Sequence, residues 1–230
     1  NAFDAMINGA TFFLQSGTPG LEYRRSDLGK NIRFIGPVLP YADKNKNVNK
    51  WWDARLDQYK KIILVTQGTV EKDTEKLLVP TLEAFKDTDT LVIATTGGSA
   101  TEALQKRYPN KNIIIEDFIS FADVMPYAHV FVTNGGFGGV LQSVQYQLPM
   151  VAAGIHEGKN EICSRVGYFK YGINLKTETP KAIQIKKAVE EILNNNTCKT
   201  NITRLAKEFE TYPVYDLFTR YVQEAISIPV

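Results

Sequence analysis

The chain is poor in the residues that carry most metal and redox chemistry. Its 230 residues include two cysteines, Cys163 and Cys198, and two histidines, His129 and His156. The cysteines form neither a Cys-x-x-Cys pair nor a disulfide framework. We therefore expect no metal site, and a reducing, cytoplasmic setting fits the cysteine content best.

Long apolar runs and blocks of one charge are also missing. No apolar stretch approaches the roughly 18 residues that a membrane-spanning helix needs. The 27 lysines and arginines nearly balance the 25 acids, and the two signs are interspersed along the chain. A nucleic-acid-binding surface would need a basic patch or stripe. The sequence therefore predicts neither a membrane span nor a nucleic-acid partner.

Two common nucleotide-binding signatures are lacking as well. The first regular apolar run, residues 62–65, is not followed by Gly-x-Gly-x-x-Gly, and no Gly-Lys-Ser/Thr phosphate loop occurs. These signatures mark dinucleotide-binding and ATP-binding folds. A hydride-transfer enzyme and an ATPase are therefore disfavoured.

What the chain does have, from residue 61 to about residue 195, is a regular alternation of apolar runs and helical stripes. The runs are residues 62–65, 91–94, 113–115, 130–132 and 150–153, with 171–174 as a sixth strand. Such continuous runs are typical of strands buried on both faces. Alternation with helices predicts an α/β fold, a Rossmann-like parallel sheet with helices on both faces. Residues 99–102 have the pattern of a capping box that opens one helix.

The densest glycine cluster follows the fourth run. Gly135, Gly136, Gly138 and Gly139 lie between an apolar strand and an apolar helical pattern. In open parallel sheets, ligands bind beyond the carboxyl ends of the strands. Glycine lets the backbone come close to a ligand, and a helix N-terminus favours a phosphate. This loop therefore predicts a site for a phosphorylated small molecule such as a nucleotide-sugar.

Four segments match, in order, the pattern of one family. Gly68–Thr69 corresponds to the Gly-Thr that ends its first strand, and residues 118–126 partly match Trp-x-Pro-Gln/His followed by Leu-Leu-Pro. Residues 134–142 match His-Gly-Gly-x-Gly-Thr-x-x-Glu, and 147–151 match Gly-Val-Pro-Met-Val. From about residue 61 the chain resembles the C-terminal donor-binding domain of a GT-B fold glycosyltransferase. The resemblance is to a bacterial-type variant of the UDP-glucuronosyl/UDP-glucosyltransferase family.

The resemblance also suggests how the chain is organised. Residues 32–37 resemble the Val-x-Phe-Val-Gly-Pro stretch that ends the family's N-terminal domain. It thus implies a remnant of the acceptor domain over 1–40, a linker over 41–60 and the donor-binding domain over 61–230. The family's catalytic base, a histidine near the true N-terminus, has no counterpart here. We therefore expect an incomplete, inactive fragment without a catalytic residue, whose small-molecule acceptor would bind through the missing N-terminal domain.

The resemblance implies donor contacts from several strand exits. They are Gly68, Thr69, Phe118, Ile119, Phe121, Asn134, Gly135, Gly136, Gly138, Gly139, Gln142, Glu157, Lys159 and Glu161. The diphosphate is expected at 135–139 beside Asn134 and Thr69, and the base near Phe118 and Ile119, with Phe121 as a second stacking partner. The ribose is expected at Gln142, and the sugar at Glu157, Lys159 or Glu161. No cofactor is implied.

Some positions depart from the family pattern. Asn134 replaces the histidine of the glycine loop, and Gln142 replaces the ribose-binding glutamate. Gly158 and Lys159 replace an Asp-Gln pair that holds sugar hydroxyls.

Two functions are consistent with these residues. The first is the donor-binding half of an inverting glycosyltransferase that moves a hexose from a UDP- or dTDP-sugar to a small acceptor. The second is a non-catalytic nucleotide-sugar-binding subunit that needs a partner chain for activity.

Overall fold

The computed structural model describes residues 2–40 and 50–227, which belong to two compact units. The first unit comprises residues 1–41 and 204–230, and the second comprises residues 42–203. The predicted domains place 204–230 with the donor-binding domain, and this assignment stays a prediction. Residues 41–49 of the predicted linker lie outside the described residues, and the assignment of 1–40 to an acceptor domain stays a prediction.

The N-terminal part of the first unit contains one helix and a small sheet. Helix α1 (Ala2–Gly9) precedes strands β1 (Phe13–Ser16) and β2 (Ile32–Gly36). The two strands pair in parallel, and a 3-10 helix, Pro19–Leu21, lies between them in sequence. The apolar stretches at both strands therefore form neighbouring strands of one sheet.

The second unit is built on a six-stranded sheet. Its strands are β3 (Lys61–Thr66), β4 (Thr90–Thr95), β5 (Ile113–Glu116), β6 (Val130–Thr133), β7 (Met150–Ala152) and β8 (Gly172–Asn174). The spatial order is β5-β4-β3-β6-β7-β8, and all pairs are parallel. The predicted parallel sheet, including its sixth strand, is confirmed.

Helices flank this sheet. They are α2 (Leu78–Phe85), α3 (Thr101–Arg107), α4 (Phe121–Val124), α5 (Phe137–Gln145), α6 (Lys159–Tyr168) and α7 (Ala182–Asn194). In β3 the consecutive residues 62–65 are all buried. Because successive side chains of a strand point to opposite faces, both faces of the sheet are covered. The central strands form the core of the unit.

Two further helices complete the chain. They are α8 (Thr197–Glu210) and α9 (Val214–Ile226). The boundary in sequence between the two compact units falls within α8, between residues 203 and 204. In the first unit α9 packs near β2, and the ring of Tyr221 lies 5.9 Å from that of Phe12. Within residues 2–40 and 50–227, no helix combines the length and the apolar character needed to traverse a bilayer.

Candidate functional site

The strand order places a topological switch point between β3 and β6. The chain proceeds from β3 outward to β4 and β5, and β6 then pairs on the other side of β3. Open α/β sheets bind ligands in the crevice at such a point, beyond the carboxyl ends of the strands. The exits of β3 and β6 carry Gly68–Thr69 and the glycine cluster 135–139. The sheet therefore brings the predicted phosphate loop to the place where a ligand is expected.

A side-chain hydrogen bond joins the two exits. Asn134 Nδ2 donates to the carbonyl oxygen of Gln67. A Cβ at Gly68 would lie 3.8 Å from the same Nδ2 atom. Asn134 and Gly68 thus face each other, and Thr69 lies exposed beside them.

The glycine loop turns directly into α5. Gly135 has φ +83, and its N–H donates to Thr133 Oγ1 at 3.2 Å. Gly136 is the N-cap of α5, and the first bond of the helix runs from the N–H of Val140 to the Gly136 carbonyl. The first N–H groups of an α-helix have no acceptor within the helix. The amides that begin α5 can therefore hold an anion.

Gly138 and Gly139 occupy different environments. A Cβ at Gly138 would meet no atom within 4 Å, and this residue is exposed. A Cβ at Gly139 would lie 3.5 Å from Phe131 and 3.8 Å from Phe121. Gly138 therefore faces open space, whereas Gly139 lets α5 pack closely on two aromatic rings.

The back of the loop is tightly packed. A Cβ at Gly135 would overlap the sulfur of Cys163, and a Cβ at Gly154 would overlap the carbonyl oxygen of Asn134. Burial raises the pKa of the Cys163 thiol to about 11, so this side chain is a neutral packing group. Gly154 and Cys163 were not predicted as part of the site, since their importance arises from contacts with a loop distant in sequence.

The exit of β7 supplies charged groups. Lys159 Nζ lies 2.7 Å from Glu157 Oε2, and the Lys159 side chain is mostly buried. Glu161 lies further along α6, where its Oε2 is 3.4 Å from Arg165 Nη1. The structure thus pairs two of the three predicted sugar contacts and pairs Glu161 with a different residue.

The aromatic residues predicted to contact the base lie in different environments. Phe118 follows β5, is 66% exposed and borders a groove of about 820 Å³ whose other lining residues include Asp117 and Thr101. Ile119 is buried, and the ring of Phe121 packs edge-on against Phe131 with centroids 5.6 Å apart. Phe118 therefore presents an open ring, whereas the Phe121 ring is already engaged within the protein.

Gln142 lies one turn after Gly138 on α5. Its Nε2 donates to the Gly138 carbonyl at 3.3 Å. Residues four apart share one face of a helix. The predicted ribose contact therefore lies on the same face as the open glycine.

Comparison with known proteins identifies the family. The model for "UDP-glucoronosyl and UDP-glucosyl transferase" matches residues 10–219. The chain belongs to this family. UDP-glucosyltransferase 1 of Beauveria bassiana is 36% identical over 218 residues, which are 94% of this chain and 47% of that protein. The 4'-demethylrebeccamycin synthase of Lentzea aerocolonigenes is 33% identical, over 90% of this chain and 48% of that protein.

Solved structures show the same fold. The glycosyltransferase of kitacinnamycin superposes with a TM-score of 0.81 at 19% identity, over 95% of this chain and 56% of that one. The calicheamicin glycosyltransferase CalG4 superposes with a TM-score of 0.78 at 19% identity, over 94% of this chain and 54% of that one. The GT-B fold prediction is confirmed. The chain spans about half the length of the curated relatives it matches and corresponds to their C-terminal half.

The hydrogen bond from Asn134 to the Gln67 carbonyl also holds the glycine loop against the exit of β3. We expect Asn134→Asp to lower the free energy of unfolding by about 1–3 kcal/mol, because a carboxylate oxygen would face the Gln67 carbonyl in place of a donor. Urea unfolding measures the change.

Asn195→Asp is the matched control for this substitution. The Asn195 side chain is exposed, and its Oδ1 accepts from the Thr197 N–H, a role that aspartate keeps. Its expected change is within about 0.5 kcal/mol. Equal stability of Asn134→Asp and the parent would contradict the fastening role.

Proposed function

We propose that this chain is the donor-binding half of an inverting glycosyltransferase that moves a hexose from a UDP- or dTDP-sugar to a small acceptor. The observation that carries the proposal is the N-terminus of α5, which begins at the switch point with an open glycine in its first turn. Membership of the UDP-glucuronosyl and UDP-glucosyl transferase family supports transfer from a nucleotide-sugar.

The diphosphate is proposed to bind the N–H groups at the start of α5, with Thr69 beside it. Aligned peptide dipoles place a partial positive charge at this end of the helix. The same groups would stabilise the charge that develops on the diphosphate as the sugar leaves. The loop thus serves both donor binding and departure of the nucleotide.

The remaining parts of the donor are assigned to the other strand exits. The exposed ring of Phe118 is proposed to stack on the base, and Gln142 to accept from a ribose hydroxyl. The pair Glu157–Lys159 offers an acceptor and donors within 2.7 Å of each other. Such a pair suits the hydroxyl groups of a hexose.

The other half of such an enzyme is proposed to supply the general base and the acceptor pocket. Support comes from the coverage, since curated relatives are about twice as long as their match to this chain. In this proposal the chain binds the donor, and a second domain brings the acceptor to it.

We expect the chain alone to bind UDP or dTDP at millimolar concentration or below and to transfer no sugar. Isothermal titration calorimetry with UDP, dTDP and ADP measures binding, and chromatography of UDP-glucose with a small phenolic acceptor measures transfer. ADP should bind least. Absence of binding by both pyrimidine nucleotides would contradict the donor site. Transfer by this chain without a partner would contradict the proposal that a second domain supplies the general base and the acceptor pocket.

A further inference from the structure

Glu178, in the segment between β8 and α7, binds the exit of β7 through one carboxylate oxygen. Its Oε1 accepts from the backbone N–H groups of Ile155 at 3.2 Å and His156 at 2.9 Å. The Glu178 side chain is only 17% exposed, so water competes little for these bonds. The first two amides after Gly154 are therefore held by a side chain from a distant segment.

The second carboxylate oxygen faces Lys76 and the imidazole of His156. Oε2 lies 3.3 Å from His156 Nε2 and 3.8 Å from Lys76 Nζ, and Lys76 in turn pairs with Glu71 at 2.6 Å. Burial alone would raise the pKa of Glu178, but the two backbone N–H groups and the neighbouring side chains of His156 and Lys76 bring it below its ordinary value. Glu178 is therefore a carboxylate at neutral pH.

The exit loop, residues 154–158, has a backbone that needs such support. Glu157 and Gly158 are consecutive left-handed residues, with φ of +58 and +79. A non-glycine residue in this region persists only where its surroundings impose the conformation. Within the loop, the N–H of Lys159 donates to the His156 carbonyl at 3.0 Å, and Glu178 holds the preceding amides.

The exit loop also touches the glycine loop. Gly154 lies so close to the Asn134 carbonyl that a Cβ would overlap it. The Lys159 Cβ lies 3.0 Å from the position a Cβ would take on Gly154 and 3.8 Å from that on Gly135. The conformation of residues 154–158 therefore sets where Glu157 and Lys159 stand relative to the proposed diphosphate site.

We propose that Glu178 is a positioning residue for the sugar part of the donor site: it fixes residues 154–158 so that the Glu157–Lys159 pair meets the hexose of a nucleotide-sugar. The inference rests on the proposed function and goes beyond it, since it assigns Glu178 the support of residues 154–158 and not a contact with the sugar. The Kd of a nucleoside diphosphate that lacks the sugar should therefore not change when Glu178 is substituted.

Three substitutions of Glu178 distinguish the effect of its side-chain length from the effect of its negative charge. Glu178→Gln keeps an oxygen of the same length for the two amides and removes the charge that faces Lys76. Glu178→Asp keeps the charge and withdraws the oxygens by one methylene, so they no longer reach both amides. Glu178→Ala removes both. Glu71→Ala is the control, because it also removes an acid beside Lys76 without a bond to the exit loop.

The test is calorimetry with UDP and UDP-glucose, or with dTDP and dTDP-glucose if the parent binds that nucleotide. The measured quantity is the ratio of the Kd of the sugar nucleotide to that of the nucleotide. We expect Glu178→Ala and Glu178→Asp to raise this ratio about tenfold, and Glu178→Gln and Glu71→Ala to leave it within about twofold. The Kd of the sugar-free nucleotide should stay within about twofold in all variants, which also reports that each variant is folded.

Three results would overturn the positioning role alone. These are an unchanged ratio in both Glu178→Ala and Glu178→Asp, equal weakening of both ligands, and a Glu178→Gln variant as impaired as Glu178→Ala. A parent chain that binds neither member of either ligand pair would overturn the proposed function itself, and this inference with it.

Discussion

Gly138→Val is expected to weaken UDP or dTDP binding at least about 100-fold while the fold persists. The new side chain would enter open space at the start of α5 and would block the approach of the diphosphate. Two lost charge-assisted hydrogen bonds, at about 1.5–3 kcal/mol each, account for a loss of this size. Valine in a helix is no less favourable than glycine, so the free energy of unfolding should not fall.

Gln145→Val provides the matched control for this substitution. Gln145 is exposed and is the last residue of the same helix. Its substitution therefore introduces the same valine side chain away from the proposed phosphate contacts. Calorimetry should find nucleotide binding unchanged in the control. If Gly138→Val binds as tightly as the parent, the diphosphate does not lie at this helix end.

Gly135→Ala is expected to lower the free energy of unfolding by about 2–5 kcal/mol. The left-handed backbone at this position costs a non-glycine residue about 1–2 kcal/mol. Overlap of the new Cβ with the Cys163 sulfur adds about 1–3 kcal/mol. Urea unfolding followed by circular dichroism measures the sum of both effects.

The double variant Gly135→Ala/Cys163→Ala separates the two causes. Removal of the sulfur relieves the overlap but leaves the backbone strain, so the substitutions should couple by about 1–3 kcal/mol in a double-mutant cycle. Purely additive effects would show that Cys163 does not support the loop.

The architecture of the second unit follows from local sequence patterns. Strands such as β3 and β4 are short runs of aliphatic residues, buried on both faces, and they are separated by helical stripes. Even the three-residue strand β8 lies within the predicted sixth strand, residues 171–174. These signals are local, so a single sequence contains them.

The start of α3 shows where local signals fail. The capping box predicted at 99–102 is wrong: the N-cap is Ala100, in a left-handed conformation with φ +56. The hydroxyl of Thr101 pairs instead with Asp117 and with the hydroxyl of Thr96. Partners from neighbouring strand exits thus engage the Thr101 hydroxyl, and one helical pattern cannot reveal them.

The candidate site, too, was predictable only where its residues are contiguous in sequence. The glycine cluster after β6 was visible because its residues are contiguous, and parallel topology places strand exits at one edge of the sheet. The different environments of Phe118 and Phe121 were not visible, because they depend on packing against Phe131. The bonds of Glu178 to the exit loop likewise join segments that no sequence spacing connects.

The most direct test of the account is an amide-resolved NMR titration of the chain with UDP and dTDP. The central claim is that the first-turn amides of α5 bind the diphosphate. We predict that the largest ¹H–¹⁵N shifts occur at residues 136–139, with smaller shifts at Gly68 and Thr69, and that they saturate with the calorimetric Kd. Saturable binding whose largest shifts lie elsewhere, with residues 136–139 unmoved, would contradict the claim.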